Sequence, residues 1–372
     1  MEWSANASLS NTSVPTRSLF TTVCSLTIVL TAVVGGLLNL LIIAAFARRR
    51  SLLTPFTAHV LHLCLSNLLL IFTATPLLAR HSLLGRWDMG RVACRFYLYC
   101  VWTLYCLPIL QHLFIAYDRL LAVCWPLLYR KANSLAAVTA LSGLALAYAH
   151  LWALPLLLLD GRRRLAADEW QCFVDIYACP LHAITVQLML YGLPILATYA
   201  AAPLVVAKVW HKRLRRMRMH SYALPEPTDD MVKYEPSEVC SFNPASLPGR
   251  HSRQSSLAPL PSYPSHCSQT PSHASKPPSS QTLTFLQFLR KDPKLYLFCL
   301  LVSAEMFFWG PKLTYYLLLN NPAYFHPDIL LAVTANYGLL YCTDPLIYLF
   351  CLDGLRKEVI SILRCRPRTT LI

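Results

Sequence analysis

The stretch Phe114–Arg130, FIAYDRLLAVCWPLLYR, sets an acid and a base side by side, Asp118 and Arg119, at the end of a long apolar run. Three other ionisable side chains sit in similar company: Glu305 and Lys312 in LLVSAEMFFWGPKLTYYLLL, and Asp344 in YCTDPLIYLF. Charge in an apolar setting is costly unless it is paired, so such residues are functional candidates by default. For Asp118 and Arg119 the chemistry on offer is an ion pair, either a contact that opens and closes or one that only ends a helix. A buried Glu305 must hold its proton or find a partner, and the sequence names none. Catalysis finds no such support. There is no His-Glu-x-x-His spacing, no Gly-rich phosphate loop and no Ser, His, Asp order in a recognisable frame. The histidines of 251–273 are scattered through sequence without an apolar period. The chain reads as a non-enzyme that uses neither cofactor nor metal.

The elements that must carry these residues follow from composition. Of 372 residues 55% are hydrophobic and only 14% charged, and the mean hydropathy of +0.43 points to a bilayer as solvent. A helical crossing needs about 20 mostly apolar residues. Seven segments approach or exceed that length, at 19–46, 57–79, 96–123, 136–159, 182–209, 295–319 and 329–351. Backbone groups cannot go unpaired in lipid, so the expected fold is an all-α bundle of seven membrane-spanning helices. The expected organisation is an external tail (1–18), the bundle (19–351) with a long third cytoplasmic loop inside it (211–292), and an amphipathic helix with a short tail (352–372).

Arg48, Arg49 and Arg50 follow the first span at once, whereas the preceding tail offers only Arg17 against Glu2. The positive-inside rule therefore puts the N terminus outside. That external side has few bases (Arg17, Arg80, Arg86, Arg91, Arg95 and Arg162 to Arg164), so the net charge of +15 is a topology signal and not a nucleic-acid footprint. A few of the inner bases are expected to touch anionic membrane lipid. The first 18 residues are polar and the first apolar run is long enough to span, so no cleavable signal peptide is expected. Two acceptor sequons, at Asn6 and Asn11, agree with an external tail.

Residues 221–283 are dense in Ser, Pro, His and Thr and are expected to be disordered. The flanks KVWHKRLRRMRMH (Lys208–His220) and FLRKDPK (Phe288–Lys294) read as basic extensions of the neighbouring helices, either plain anchors or a docking surface for a cytosolic partner. Arg253-Gln254-Ser255-Ser256 is a weak basophilic kinase pattern. Most of the 14 cysteines fall inside spans, where Cys acts as a small hydrophobe. Cys94 and Cys172 lie on the external, oxidising side, and a bridge between them would tie the second external loop to the bundle; Cys179 is the rival partner.

With these residues in order, the chain resembles the rhodopsin-like, or class A, G-protein-coupled receptors along all seven spans. DRLLAVCWPLLY is similar to the family's Asp-Arg-Tyr motif, with Leu120 replacing the aromatic residue. WDMGRVAC (Trp87–Cys94) resembles its external signature before helix three, FFWGP (Phe307–Pro311) its helix-six Trp-x-Pro element, and TDPLIYLF (Thr343–Phe350) its helix-seven Asn/Asp-Pro-x-x-Tyr close. Asn39, Pro76, Pro155 and Pro194 also stand where the family has such residues. The resemblance implies a cell-surface receptor of the plasma membrane that passes binding of an external ligand to a heterotrimeric G protein, with arrestin and receptor kinases as further partners. Asp118 would neutralise Arg119 at rest. On activation helix six would swing out about Pro311, with Trp309 near the pocket floor and Asp344, Pro345 and Tyr348 completing the switch.

Departures from the family pattern make this a divergent member. Asn67, in HLCLSNLL, stands where helix two usually has Asp, and Asp344 where helix seven often has Asn, which leaves the family's sodium site in doubt. Ala145 replaces a helix-four Trp, Ala202 a helix-five Tyr and Glu305 a helix-six Phe. Val101 fills the place of the amine receptors' Asp and Gly338 that of the opsins' retinal-bearing Lys, so both ligand classes are disfavoured. The expected pocket is aromatic and cationic: Tyr97, Trp102, His182, Gln187, Lys312, Tyr315 and Tyr316. Lys312 would meet an acidic ligand group, snorkel or pair with Glu305. The charged second external loop (Arg162–Arg164, Asp168, Glu169, Asp175) suits a peptide.

After the last span, LDGLRKEVISILRCRPR (Leu352–Arg368) has apolar residues at Leu355, Val359, Ile360 and Leu363 with bases between, an eighth helix lying on the inner leaflet with Cys365 as a palmitoylation candidate. The reading from a different class is a multi-span transporter or channel. Such proteins tend to have repeated halves and paired broken helices, and no self-similarity is visible here.

Overall fold

A computed structural model describes residues 18–160, 172, 180–222, 285–319, 324 and 326–364. Described in chain order, the helices are α1 (Leu19–Arg48), α2 (Pro55–Leu84), α3 (Gly90–Leu104), α4 (Cys106–Cys124), α5 (Pro126–Ala132), α6 (Leu135–Asp160), α7 (Pro180–Gln187), α8 (Leu193–Tyr222), α9 (Phe285–Arg290), α10 (Pro293–Leu318), α11 (Pro327–Gly338), α12 (Leu340–Cys351) and α13 (Asp353–Leu363). No strand occurs among the described residues. Six helical stretches are long and apolar enough to cross a membrane, with α3 running on into α4 and α7 into α8. The seventh crossing is α11 followed by α12, two 12-residue halves on either side of Leu339. The chain is thus a seven-helix membrane bundle. Its long hydrophobic side chains face outward as well as inward: on α1 alone, Leu26, Leu30, Val33 and Leu37 are exposed, as expected where lipid and not water surrounds the helix.

Local sequence starts and stops these helices. Thr54 and Thr57 form a reciprocal capping box at α2, with Pro55 at its first position. Asp292 accepts from the backbone of Lys294 and Leu295 to open α10 ahead of Pro293. Gly85 (φ 71°) and Gly90 (φ 79°) make the left-handed turn between α2 and α3, a conformation costly for other residues. Pro194 lacks the N–H that an α-turn needs, and just before it the chain widens into a π-helical turn at Leu188–Gly192, where Leu193 N–H reaches back to Leu188.

In the packing, α1 lies against α2, α11 and α12; α2 lies against α3, α4 and α6; α10 lies against α4, α11 and α12. Two close contacts draw α1 to the last crossing. Asn39, fully buried, donates to the carbonyls of Gly35 (2.7 Å) and Tyr341 (3.0 Å). Gly35 is needed because a Cβ there would lie 2.5 Å from the Tyr341 Cβ. At the Arg119 end, α13 buries Leu355 and Val359 and leaves Ile360 and Leu363 outward, and Arg48 of α1 pairs with its Glu358 at 3.1 Å. Up to Arg213, and again from Phe285 on, the described residues form one compact unit. α8 itself stays helical to Tyr222, beyond the expected end of the fifth span at 209.

Candidate functional site

Three layers of polar and aromatic side chains lie along the bundle. At one end, Asp118 and Arg119 of α4 are both buried. Arg119 Nε donates to Asp118 Oδ2 at 2.9 Å and its Nη2 donates to the same oxygen. Nη2 also reaches the Tyr129 hydroxyl (3.1 Å), while Asn133 Nδ2 donates to Asp118 Oδ1 (3.3 Å). Partial burial, and then the Asp118 carboxylate, raise the Tyr129 hydroxyl above its ordinary value and keep it a neutral acceptor for the guanidinium. The Arg119 Cζ stacks 4.3 Å over the ring of Phe56, and Lys294, in the first turn of α10, has its Nζ 5.4 Å from the same ring. This end therefore joins α2, α4, α5 and α10 through one guanidinium and one aromatic ring. Farther along α8 and α9, Trp210 meets Phe288 edge-on at 4.8 Å.

The middle layer holds His112 (α4), Glu305 (α10) and Asp344 (α12), each fully buried. His112 Nδ1 is 3.8 Å from Glu305 Oε1, and Nε2 is 3.8 Å from Asp344 Oδ2. Glu305 thus has a partner across the bundle, and Lys312 is not it. Asn67 and Tyr348 are buried as well, and neither the Asn67 Nδ2 nor the Tyr348 hydroxyl has a hydrogen-bond partner among the described residues.

Above it lies an aromatic layer. Trp309 packs against Tyr191 (5.8 Å) and edge-on to Tyr337 (4.8 Å), and Tyr337 against Tyr105 (5.1 Å). Lys312 is 1% exposed. Its Nζ lies 4.0 Å from the Tyr105 ring centroid, 4.6 Å from Tyr337, 5.3 Å from Trp309 and 5.7 Å from Tyr316. None of the ion pairs among the described residues includes it. Rings surround this ammonium and supply their negative faces in place of a counter-ion.

The expected pocket residues divide. Lys312 and Tyr316 meet in the cage. Tyr315 turns away: its hydroxyl donates to the His326 carbonyl (2.8 Å) and accepts the His326 N–H (2.8 Å), pinning the start of α11. Tyr97 and Trp102 pack beside Trp87, Cys94 and Leu98 at the disulfide, and the Trp102 carbonyl accepts from Tyr191. His182 is half-buried and Gln187 buried, both on α7. Cys94 is joined to Cys172, with Cα atoms 5.7 Å apart; Cys179, Asn6, Asn11 and Cys365 lie outside the described residues. Pro311 sits inside an unbroken α10, and Pro345 inside α12, whereas the break in the seventh crossing comes at Leu339.

Sequence reasoning missed His112, Tyr105, Tyr337 and Phe56. His112 carried a usable signal, since it is an ionisable residue inside an apolar run just as Glu305 is. The aromatics carried none, because their role is set by neighbours on other helices.

The model of the seven-transmembrane receptor (rhodopsin family) matches residues 38–348, which covers all three layers. The chain belongs to the rhodopsin family. The receptor is 35% identical to melanopsin of Homo sapiens over 129 residues, 34% of this chain and 27% of that protein. It is 30% identical to "Rhodopsin, G0-coupled" of Mizuhopecten yessoensis over 92 residues (25% and 23%) and 25% identical to muscarinic acetylcholine receptor M3 of Gallus gallus over 172 residues (45% and 26%). The matched stretch spans about a quarter of the length of these relatives. Two are opsins by name, yet Gly338 of this receptor has the Thr31 hydroxyl 2.9 Å from where a Cβ would be. A larger side chain there requires the Thr31 side chain to move aside.

Proposed function

We propose that this receptor stands in the plasma membrane with its N terminus outside and converts binding of an extracellular ligand into activation of a heterotrimeric G protein. The observation that carries the reading is the buried pair of Asp118 and Arg119 at one end of the bundle. Arg119 has three partners there on three helices, Asp118, Tyr129 and Phe56, and each is a contact it can exchange for one to a cytosolic protein. Outward movement of α10 draws Lys294 away from Phe56 and uncovers the guanidinium, so activation is a two-state packing equilibrium that the ligand biases. Asn6 and Asn11 as glycan acceptors and Cys365 as a palmitate acceptor fit the same orientation, and the bases of 208–220 face anionic lipid.

At the opposite end, the ring-lined Lys312 is the anchor for the ligand. A carboxylate or other acidic group would supply the counter-charge that the described residues do not, and the charged second external loop suits a peptide bearing such a group. A carrier or channel is the weaker reading, because nothing in the chain repeats.

The test compares G-protein activation with ion flux in cells expressing the full chain. Activation without ligand or with acidic peptides, lost in Arg119→Ala at normal surface level, is the expected result. Flux with no activation in any G-protein class would overturn the reading. Lys312→Met is expected to abolish the response to acidic peptides and leave ligand-free activation in place.

A further inference from the structure

His112 uses both faces of its imidazole. Nδ1 points to α10 through Glu305 and Nε2 to α12 through Asp344, each at 3.8 Å, and all three side chains are withdrawn from solvent. A neutral imidazole carries one N–H and one lone pair, so it attracts one carboxylate and turns its lone pair to the other. With a proton on each nitrogen it attracts both. The position of this triad is as informative as its chemistry. Glu305 is one turn from Trp309 on α10, and His112 is two turns, about 10 Å, from Arg119 on α4. The triad therefore lies on the route between the aromatic cage and the Asp118–Arg119 pair, and it joins the three crossings whose relative movement activation requires.

We propose that His112 is a positioning residue for activation: as an imidazolium between Glu305 and Asp344 it holds α10 to α4 and α12, a second latch in series with Asp118 and Arg119. Glu305 is the half of the latch that travels with α10, and Asp344 orients the ring. The proposal rests on the α10 movement put forward above. Loss of either His112 or Glu305 opens the same contact, and loss of both opens nothing more.

The test is a double-mutant cycle in the full-length receptor, read as ligand-free G-protein activation per receptor at the cell surface. His112→Gln and Glu305→Gln are each expected to raise activation at least about threefold, the double variant no further than the larger single, and Asp344→Asn by a smaller factor. A purely structural His112 predicts independent effects. Increments that multiply in the double variant, or unchanged activation at normal surface level, would overturn the proposal. Should His112→Gln not reach the surface, Glu305→Gln and Asp344→Asn, which keep side-chain volume, decide it: unchanged activation in both overturns the latch. Asp118→Asn separates this failure from the broader one. If Asp118→Asn activates while the triad variants stay silent, only the second latch is wrong; if nothing activates, the receptor reading falls with it.

Discussion

The guanidinium of Arg119 lies 4.3 Å over the ring of Phe56, a side chain only 1% exposed in the first turn of α2. The Nζ of Lys294, on α10, is 5.4 Å from the same ring. Phe56 is thus a shared aromatic partner for cations on two different helices, and it completes the closed state that the Asp118 carboxylate begins. A cation on a ring contributes about 0.5–2 kcal/mol, enough to shift a two-state equilibrium several-fold. Phe56→Leu, which keeps an apolar side chain but removes the ring, is expected to raise ligand-free G-protein activation, measured per receptor at the surface. Lower activation than in the parent would argue that the ring favours the open state instead.

The tie between α1 and the last crossing yields a paired prediction. At Gly35 a new Cβ would stand 2.8 Å from the backbone carbonyl of Tyr341, whereas at Gly36 it would touch only the Ile71 side chain at 3.5 Å. Gly35→Ala should cost at least the ~1–3 kcal/mol typical of overpacking. Gly36→Ala should be neutral or stabilising by up to about 1 kcal/mol through helix propensity. Melting temperatures of the purified receptor check the contrast, and equal effects would place the close approach elsewhere.

Asn39 makes the polar half of the same tie. Asn39→Ala removes its bond to the Tyr341 carbonyl, an acceptor in a buried stretch, and is expected to lower stability by about 1–3 kcal/mol. The same thermal measurement reads it, and Asn39→Asp should not restore the loss because a carboxylate cannot donate to two carbonyls.

The Cys94–Cys172 bridge closes a loop across 78 positions and packs under Trp87. Cys94→Ser is expected to cost roughly 2–5 kcal/mol, seen as reduced surface receptor and a lower melting temperature. Reduction of the parent protein should reproduce the shift, and the variant should show no further response to reductant.

Arg80 holds Asp88 with two hydrogen bonds, at 3.0 and 2.7 Å, and the first of its effects is to keep that carboxyl below its ordinary value of 3.8. A depressed acid stabilises the fold above its unfolded value and loses that contribution as pH falls through the folded one. The pair is exposed, so the effect is small. A melting-temperature profile in acid should therefore fall slightly faster for the parent than for Asp88→Asn.

Much of the architecture was legible in the chain itself. Seven apolar runs, a basic stretch after the first, and Asp118 beside Arg119 are statements about composition and adjacency, and lipid leaves such runs one way to satisfy their backbone. The pairing of Cys94 was narrowed to Cys172 or Cys179 and decided only by the fold. Helicity continues to Tyr222, in line with reading Lys208–His220 as a basic extension of the fifth span, because straight-chain Lys, Arg and Met propagate a helix beyond the apolar stretch. The break at Leu339 follows Gly338, a poor helix former, whereas Pro345, the stronger breaker, lies inside α12.

The sequence by itself determined which side chains would be costly to bury: Asp118, Arg119, Glu305, Lys312 and Asp344 are visible to anyone who reads charge against hydropathy. Asp118 and Arg119 are each other's neighbours in the chain, but only the tertiary structure decided what relieves the other three. Glu305 and Asp344 face His112, while Lys312, seven residues from Glu305 on the same helix, is ringed by Tyr105, Tyr337, Trp309 and Tyr316. Burial is a property of the run a residue belongs to, and so is local. Partnership depends on the rotation and depth of helices far apart in the chain, which no spacing within one of them encodes.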